Sequence, residues 1–167
     1  CVISGGIDLS VSNVVTLSSV VAAACIKAKW GDAAAIAMAL LVSMGIGVIN
    51  ATCINFLRIP PIIMTLAMLS LLEGGMLIWT DGTPPSGCGD TITWLCKGQI
   101  LGVPNAVYVW ILFPFLSIML MNRTKYGRHI YAIGTNEPAA KLSGINVFAT
   151  KYLVYCCSSL CAGIGGL

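Results

Sequence analysis

Charge is what this sequence has least of. Only 9% of its 167 residues are Asp, Glu, Lys or Arg, against about a quarter in an ordinary soluble domain. So few charges do not make a water-compatible surface, which excludes a soluble globular protein and leaves lipid as the simplest solvent. The net charge of +3 is small and dispersed, without the basic stripe that nucleic acid requires, so no nucleic-acid partner is expected. Histidine is nearly absent. His129 stands alone, and the 8 cysteines include no CxxC pair, so neither a metal site nor a Cys/His nucleophile is expected. There is no GxxxxGK[ST] loop to cradle nucleotide phosphates, and neither HExxH nor GxSxG occurs. The chain is expected to hold no catalytic residue, no metal and no cofactor of its own.

Apolar length is what it has in abundance. The sequence is 57% hydrophobic, with a mean hydropathy of +0.92. Apolar stretches run at about 9–26, 33–56, 61–79, 106–121 and 152–167, each near the span of a transmembrane helix. A segment in lipid must satisfy its backbone internally, so helices are expected. A β-barrel would need short alternating strands, and these runs do not alternate. The expected fold is all-α, a polytopic transmembrane helix bundle forming one domain over 1–167. The chain opens on Cys1 and stops inside an apolar run at Leu167. Tyr152–Leu167 would rise only about 24 Å, short of a hydrocarbon core of roughly 30 Å. An internal fragment of a longer protein, cut at both ends, is therefore expected. Cys25, Cys53, Cys156, Cys157 and Cys161 read as small apolar fillers. Cys88 and Cys96 share one loop, and whether they pair is left open.

The second stretch carries a further pattern. Ala35, Ala39, Ser43, Gly47 and Ala51 recur every four residues, a spacing that stacks small side chains on one helix face and predicts a packing seam. Orientation follows from the cations. If every stretch crosses once, Lys27, Lys29 and Lys97 lie on one side. Arg58, Arg123, Lys125, Arg128, Lys141 and Lys151 lie on the other, which the positive-inside rule makes cytoplasmic. The segment 80–105 is then outside and 122–151 inside. The Asn122-Arg123-Thr124 sequon falls on the cytoplasmic side and is read as chance.

Three features bear on function. Gly5 and Gly6 loosen the backbone just before an apolar helix, where Asp8 or Ser10 is placed to cap it. Transporters often break helices near a binding site, although the same residues also read as an ordinary helix start. Glu73 is the acid well inside an apolar stretch, a functional position by default, yet Trp79, Thr80 and Asp81 mark the interface only about two turns away. In the cytoplasmic segment, Asn136 suits an N-cap, Glu137 and Pro138 a first turn, and Gly144 a left-handed stop. A helix of about two turns is marginal alone and needs a surface to pack on. That surface is either a cytoplasmic partner or its own membrane domain.

Taken together these segments resemble a known family. Gly5-Gly6-Ile7-Asp8-Leu9-Ser10-Val11 resembles the GIDLSVG signature of ribose-type (monosaccharide) ABC importer permeases. Arg58 to Leu66 resembles the family's next segment, Leu101-Gly102-Val103-Pro104 fits its outer loop, and Tyr126 to Val147 resembles its GRxIYAxGGNExAAxLSGINV loop. The resemblance implies a multi-pass permease of the bacterial inner membrane that pairs as a homodimer. It implies a monosaccharide such as ribose taken from an extracytoplasmic sugar-binding protein, with ATP and Mg bound by a separate cytoplasmic ABC ATPase. It places Gly134, Asn136, Glu137, Ala139, Ala140, Leu142, Ser143 and Gly144 in a coupling loop, 122–151, seated on that ATPase. It leaves Gly5, Gly6, Asp8, Ser10 and Glu73 as positions for a transport path or helix break. Ser12-Asn13 stand where Gly-Ser is usual, and Glu73 where many members carry a basic residue, so the substrate stays open. The alternatives are a permease for a nucleoside, a furanose signal or a branched-chain amino acid, an ion-coupled secondary transporter with Glu73 as its carrier, and a non-transporting membrane scaffold.

Overall fold

Turn chemistry sets where the helices begin and end. In the computed structural model, residues 1–83, 85, 87, 89–100 and 102–167 are described. A 3-10 turn at Val2–Ser4 leads into α1 (Val11–Lys27), α2 (Asp32–Phe56) and α3 (Pro61–Thr80). Then come α4 (Asp90–Lys97), a small hairpin of β1 (Gln99–Ile100) and β2 (Val103–Pro104), and α5 (Asn105–Arg123). The chain closes with α6 (Lys125–Thr135), α7 (Glu137–Leu142) and α8 (Val147–Gly165). Gly31, at φ 85, turns the chain into α2. Pro61 opens α3, where its missing N–H costs nothing. Asp81, at φ 48, closes α3 in the left-handed region. Among the described residues four helices, α2, α3, α5 and α8, are long and apolar enough to cross a membrane, and α1 is a shorter apolar helix. The fold class is the all-α membrane bundle that composition implies.

The core lies where α1, α2 and α8 meet. Ala35, Ala39, Ser43, Gly47 and Ala51 are all buried, as the four-residue spacing predicts. A Cβ added to Gly47 would lie 2.8 Å from the Tyr155 carbonyl oxygen and 3.0 Å from Cys156 Cα, so α8 backbone occupies that space. Gly163 answers from the other helix, where a Cβ would meet Ser43 Oγ at 2.6 Å. Small residues on both sides bring the two backbones together, the usual way helices associate in lipid. Val14, Ile46, Met68 and Ala162 fill the centre. In contrast α5 stands apart: only Asn105 is buried along it, and Trp110 and Phe115 are exposed.

The connections gather at the two ends of the bundle. At one end the Thr91 N–H donates to Asp32 Oδ2 at 2.8 Å, tying α4 to the start of α2. At the other, the α2–α3 turn shares a groove with Glu137, Lys141 and Lys151. The last apolar helix starts five residues before the apolar run does. Asn146 Oδ1 accepts the Ala149 N–H at 3.0 Å and caps it there, so its 19 residues rise about 28 Å. The question of Cys88 pairing with Cys96 lies outside the described residues, as does Leu101. Cys25, Cys53, Cys156, Cys157 and Cys161 are free thiols.

Candidate functional site

The segment before α1 is irregular backbone, with Gly6 and Ser10 buried and Gly5, Ile7 and Leu9 exposed. Gly5 has φ 78, a left-handed conformation that strains a residue with a side chain. Gly6 packs against Tyr155, where a Cβ would fall 2.5 Å from the phenol oxygen. The Thr65 hydroxyl donates to the Ile7 carbonyl at 3.2 Å. Asp8 then gathers several donors. Its Oδ1 accepts from the Ser10 N–H at 3.1 Å and the Ser10 hydroxyl at 2.7 Å. Its Oδ2 accepts from Ser158 Oγ at 2.8 Å. Ser10 Oγ in turn accepts from Asn50 Nδ2 at 3.0 Å. Ser10 occupies the N-cap of α1 without capping it through its side chain. Asp8 thus accepts an N–H at the start of α1, and the two residues also cross-link the bundle: Asp8 ties the start of α1 to α8, and Ser10 ties it to α2.

Depth gives this cluster its interest. Ser158 lies roughly 16 Å along α8 from Val147, near the middle of the helix. Non-helical backbone at membrane depth is tolerated only inside protein or along a water-filled cavity. Ser10 and Asn50 are fully buried. Asn50 Oδ1 and Ser159 Oγ are buried with no hydrogen-bond partner among the described residues. The centre of the bundle therefore holds polar capacity that its own side chains do not use.

The second site is the segment from α6 to α8. Thr124 caps α6 by accepting the Gly127 N–H at 3.2 Å, which gives the sequon threonine a structural role. α6 is amphipathic, with Gly127, Ile130 and Ile133 buried. Gly134 presses on the Ile3 carbonyl with no room for a Cβ, so α6 packs on the 3-10 turn at Val2–Ser4. Asn136 breaks away with extended backbone and caps α7, accepting the Ala139 N–H at 3.0 Å. Ala140 is the buried residue of α7, whereas Leu142 is 90% exposed and Ala139 and Ser143 are also exposed. Gly144, at φ 80, ends the helix, and the Ile145 N–H returns to the Ala140 carbonyl at 3.1 Å in a Schellman-like stop. Glu137 holds Lys151 Nζ at 2.8 Å, pinning the first turn of α7 to α8. A short helix is thus anchored at its start and presents its far end outward.

A family model described as "Branched-chain amino acid transport system / permease component" matches residues 1–167. The chain belongs to this permease family. It is 34% identical over 99% of its length to the ribose import permease protein RbsC of Escherichia coli K12, covering 53% of that protein. It is likewise 34% identical over 99% of its length to the ribose import permease protein of Bacillus subtilis, covering 52%. It is 31% identical over 98% of its length to the fructose import permease protein FruF of Bifidobacterium longum, covering 47%. The chain spans about half the length of the curated relatives it matches. No solved structure matches it.

The structure brings some predicted permease residues together and separates others. Asp8 and Ser10 join one cluster with Asn50 and Ser158, and Gly6 borders it through Tyr155. Gly134 to Gly144 form one continuous segment at a bundle end. Glu73 is remote from both. It is exposed on the second half of α3, beside Gly74 and Gly75, and has no hydrogen-bond or ion-pair partner among the described residues. Asn50, Ser158 and Ser159 escaped the sequence reading. Their signal was present, since a polar side chain inside an apolar span marks a site or a packing contact.

Proposed function

We propose that this chain is the central part of a permease subunit of an ATP-driven importer, which passes a monosaccharide across the bacterial inner membrane. A separate cytoplasmic ATPase supplies the energy, and an extracytoplasmic binding protein delivers the solute. Ribose is the first solute to test, because the ribose import permeases match over nearly the whole chain. The observation that carries the reading is α7: its first turn is fixed to α8, and its far end is bare. Such an arrangement transmits force from a partner to a membrane helix rather than burying apolar area. Gly134, Asn136, Glu137, Ala139, Ala140, Leu142, Ser143 and Gly144 make up the segment that seats on the ATPase. Asp8, Ser10 and Asn50 clamp the break before α1 to α8 and α2, so that the three helices move together. A homodimer supplies a second wall for the path.

Gly144→Val tests this directly. At φ 80 a β-branched side chain is strained by about 1–2 kcal/mol, enough to reset the end of α7 without unfolding the membrane helices. Uptake of labelled ribose by proteoliposomes, and ATPase stimulation by loaded binding protein, are both expected to fall at least about tenfold. Membrane insertion is expected to be unchanged. Glu137→Gln should act more mildly, because the Glu137–Lys151 pair is partly exposed and contributes less than about 1 kcal/mol to stability. Normal coupling in both variants would refute the role given to α7. Uptake that persists without the ATPase would refute the importer reading.

A further inference from the structure

A groove of about 650 Å³ opens at the bundle end that carries α7, between the α2–α3 turn and the start of α8. Arg58, Lys141, Lys151 and Glu137 line it. Three cations face one carboxylate, which leaves two positive charges in excess. Glu137 is committed to Lys151, so Arg58 and Lys141 have no acidic partner among the described residues. The remaining wall is apolar, with Ile54, Ile59, Pro60, Val147 and Phe148.

The chain leaves α2 through Arg58 in the left-handed region, as it leaves α3 through Asp81. Arg58 has φ 53, a conformation that costs a residue with a Cβ about 1–2 kcal/mol and that glycine adopts freely.

We propose that this groove binds the phosphodiester headgroup of an anionic membrane phospholipid. The cations that Glu137 leaves unpaired, Arg58 and Lys141, suit a phosphate oxygen. The apolar wall has no use for a soluble anion but suits the glycerol and first acyl carbons. The level is also right, at the last turn of α2 and the first turn of α8, where headgroups sit beside a spanning helix. Basic pockets between membrane helices on the cytoplasmic side recognise such headgroups. The leaflet assigned here rests on the importer reading, which puts α7 in the cytoplasm. Because α7 forms one wall, headgroup occupancy biases its seating, and coupling becomes sensitive to anionic lipid.

The test uses the whole importer, with its ATPase, in nanodiscs of phosphatidylcholine alone or mixed with phosphatidylglycerol. Native mass spectrometry then counts the lipids retained per permease. Phosphatidylglycerol is expected to be retained in preference to phosphatidylcholine. Arg58→Gly and Lys141→Gln are each expected to lower that retention about fivefold, the effect of one charge near an anionic surface. Arg58→Gly also relieves the backbone, so an unchanged or raised Tm separates lost binding from lost folding. Equal retention of the two lipids by the wild type, or undiminished retention in both variants, overturns the proposal. Release of the ATPase by these variants in pure phosphatidylcholine also overturns it, since the groove is then a protein-docking site. Retention that follows the prediction while uptake needs no ATP leaves the lipid site standing and removes the importer.

Discussion

Gly47→Leu is expected to prevent stable assembly of the bundle, whereas Gly45→Leu on the same helix is expected to be tolerated. The two glycines differ in what a side chain would meet. At Gly47 a Cβ collides with the Tyr155 carbonyl oxygen at 2.8 Å, Ser159 Oγ at 2.9 Å and Cys156 Cα at 3.0 Å, whereas at Gly45 nothing lies within 4 Å. Backbone atoms cannot swing aside as a long side chain can. Overpacking a well-filled core costs about 1–3 kcal/mol even where side chains can adjust; here α2 and α8 must separate along the seam. In lipid no hydrophobic force draws them back, because the tails are as apolar as the helices, and close packing supplies much of the attraction. The measurement is the yield of monodisperse permease in mild detergent and its thermal unfolding midpoint. Similar losses in both variants would show that leucine at any glycine of α2 is harmful. The seam would then lose its special standing.

The seam was legible because it needs only a period: five small residues at every fourth position name one helix face. The spans were legible because lipid demands apolar length and nothing else. Gly144 was legible because a left-handed stop is a local property of the chain. What stayed hidden is what depends on contact between distant segments. α6 falls inside the segment expected to be a coupling loop, where Gly127 and Gly134 disfavour helix. Their reason is tertiary: Gly127 packs on the Met121 backbone and Gly134 on the Ile3 carbonyl. The polar first turn of α8 was hidden for a different reason. Thr150 and Lys151 end an apolar window but do not end a helix that Asn146 has already capped. α4 escaped because its amphipathic eight residues lie on the bundle rather than in it.

Asp8→Ala carries the largest expected effect on transport. It removes both oxygens that collect the Ser10 N–H, the Ser10 hydroxyl and the Ser158 hydroxyl. Hydrogen bonds to a charged group contribute about 1.5–3 kcal/mol each, and donors left unsatisfied in a buried site cost further. Ser10 is fully buried and Asp8 is half-buried, so part of this loss falls on groups shielded from water. The irregular backbone at Gly5–Leu9 then loses the clamp that holds it at membrane depth, and α1 loses its tie to α8. Uptake of labelled solute is expected to fall by at least about a hundredfold, as for a loss near 3 kcal/mol, with a lower Tm. Asp8→Asn keeps an acceptor oxygen for the Ser10 pair and should recover part of the stability. Ser158→Ala removes one donor only and should be milder than either. A clamp also predicts coupling: Asp8→Ala combined with Ser158→Ala should cost less than the sum of the two alone. Strict additivity, or full uptake by Asp8→Ala, would mean that the break before α1 is an ordinary helix start. The unused oxygens of Asn50 and Ser159 would then serve packing, and the clamp that makes the three helices move together would have to be sought elsewhere.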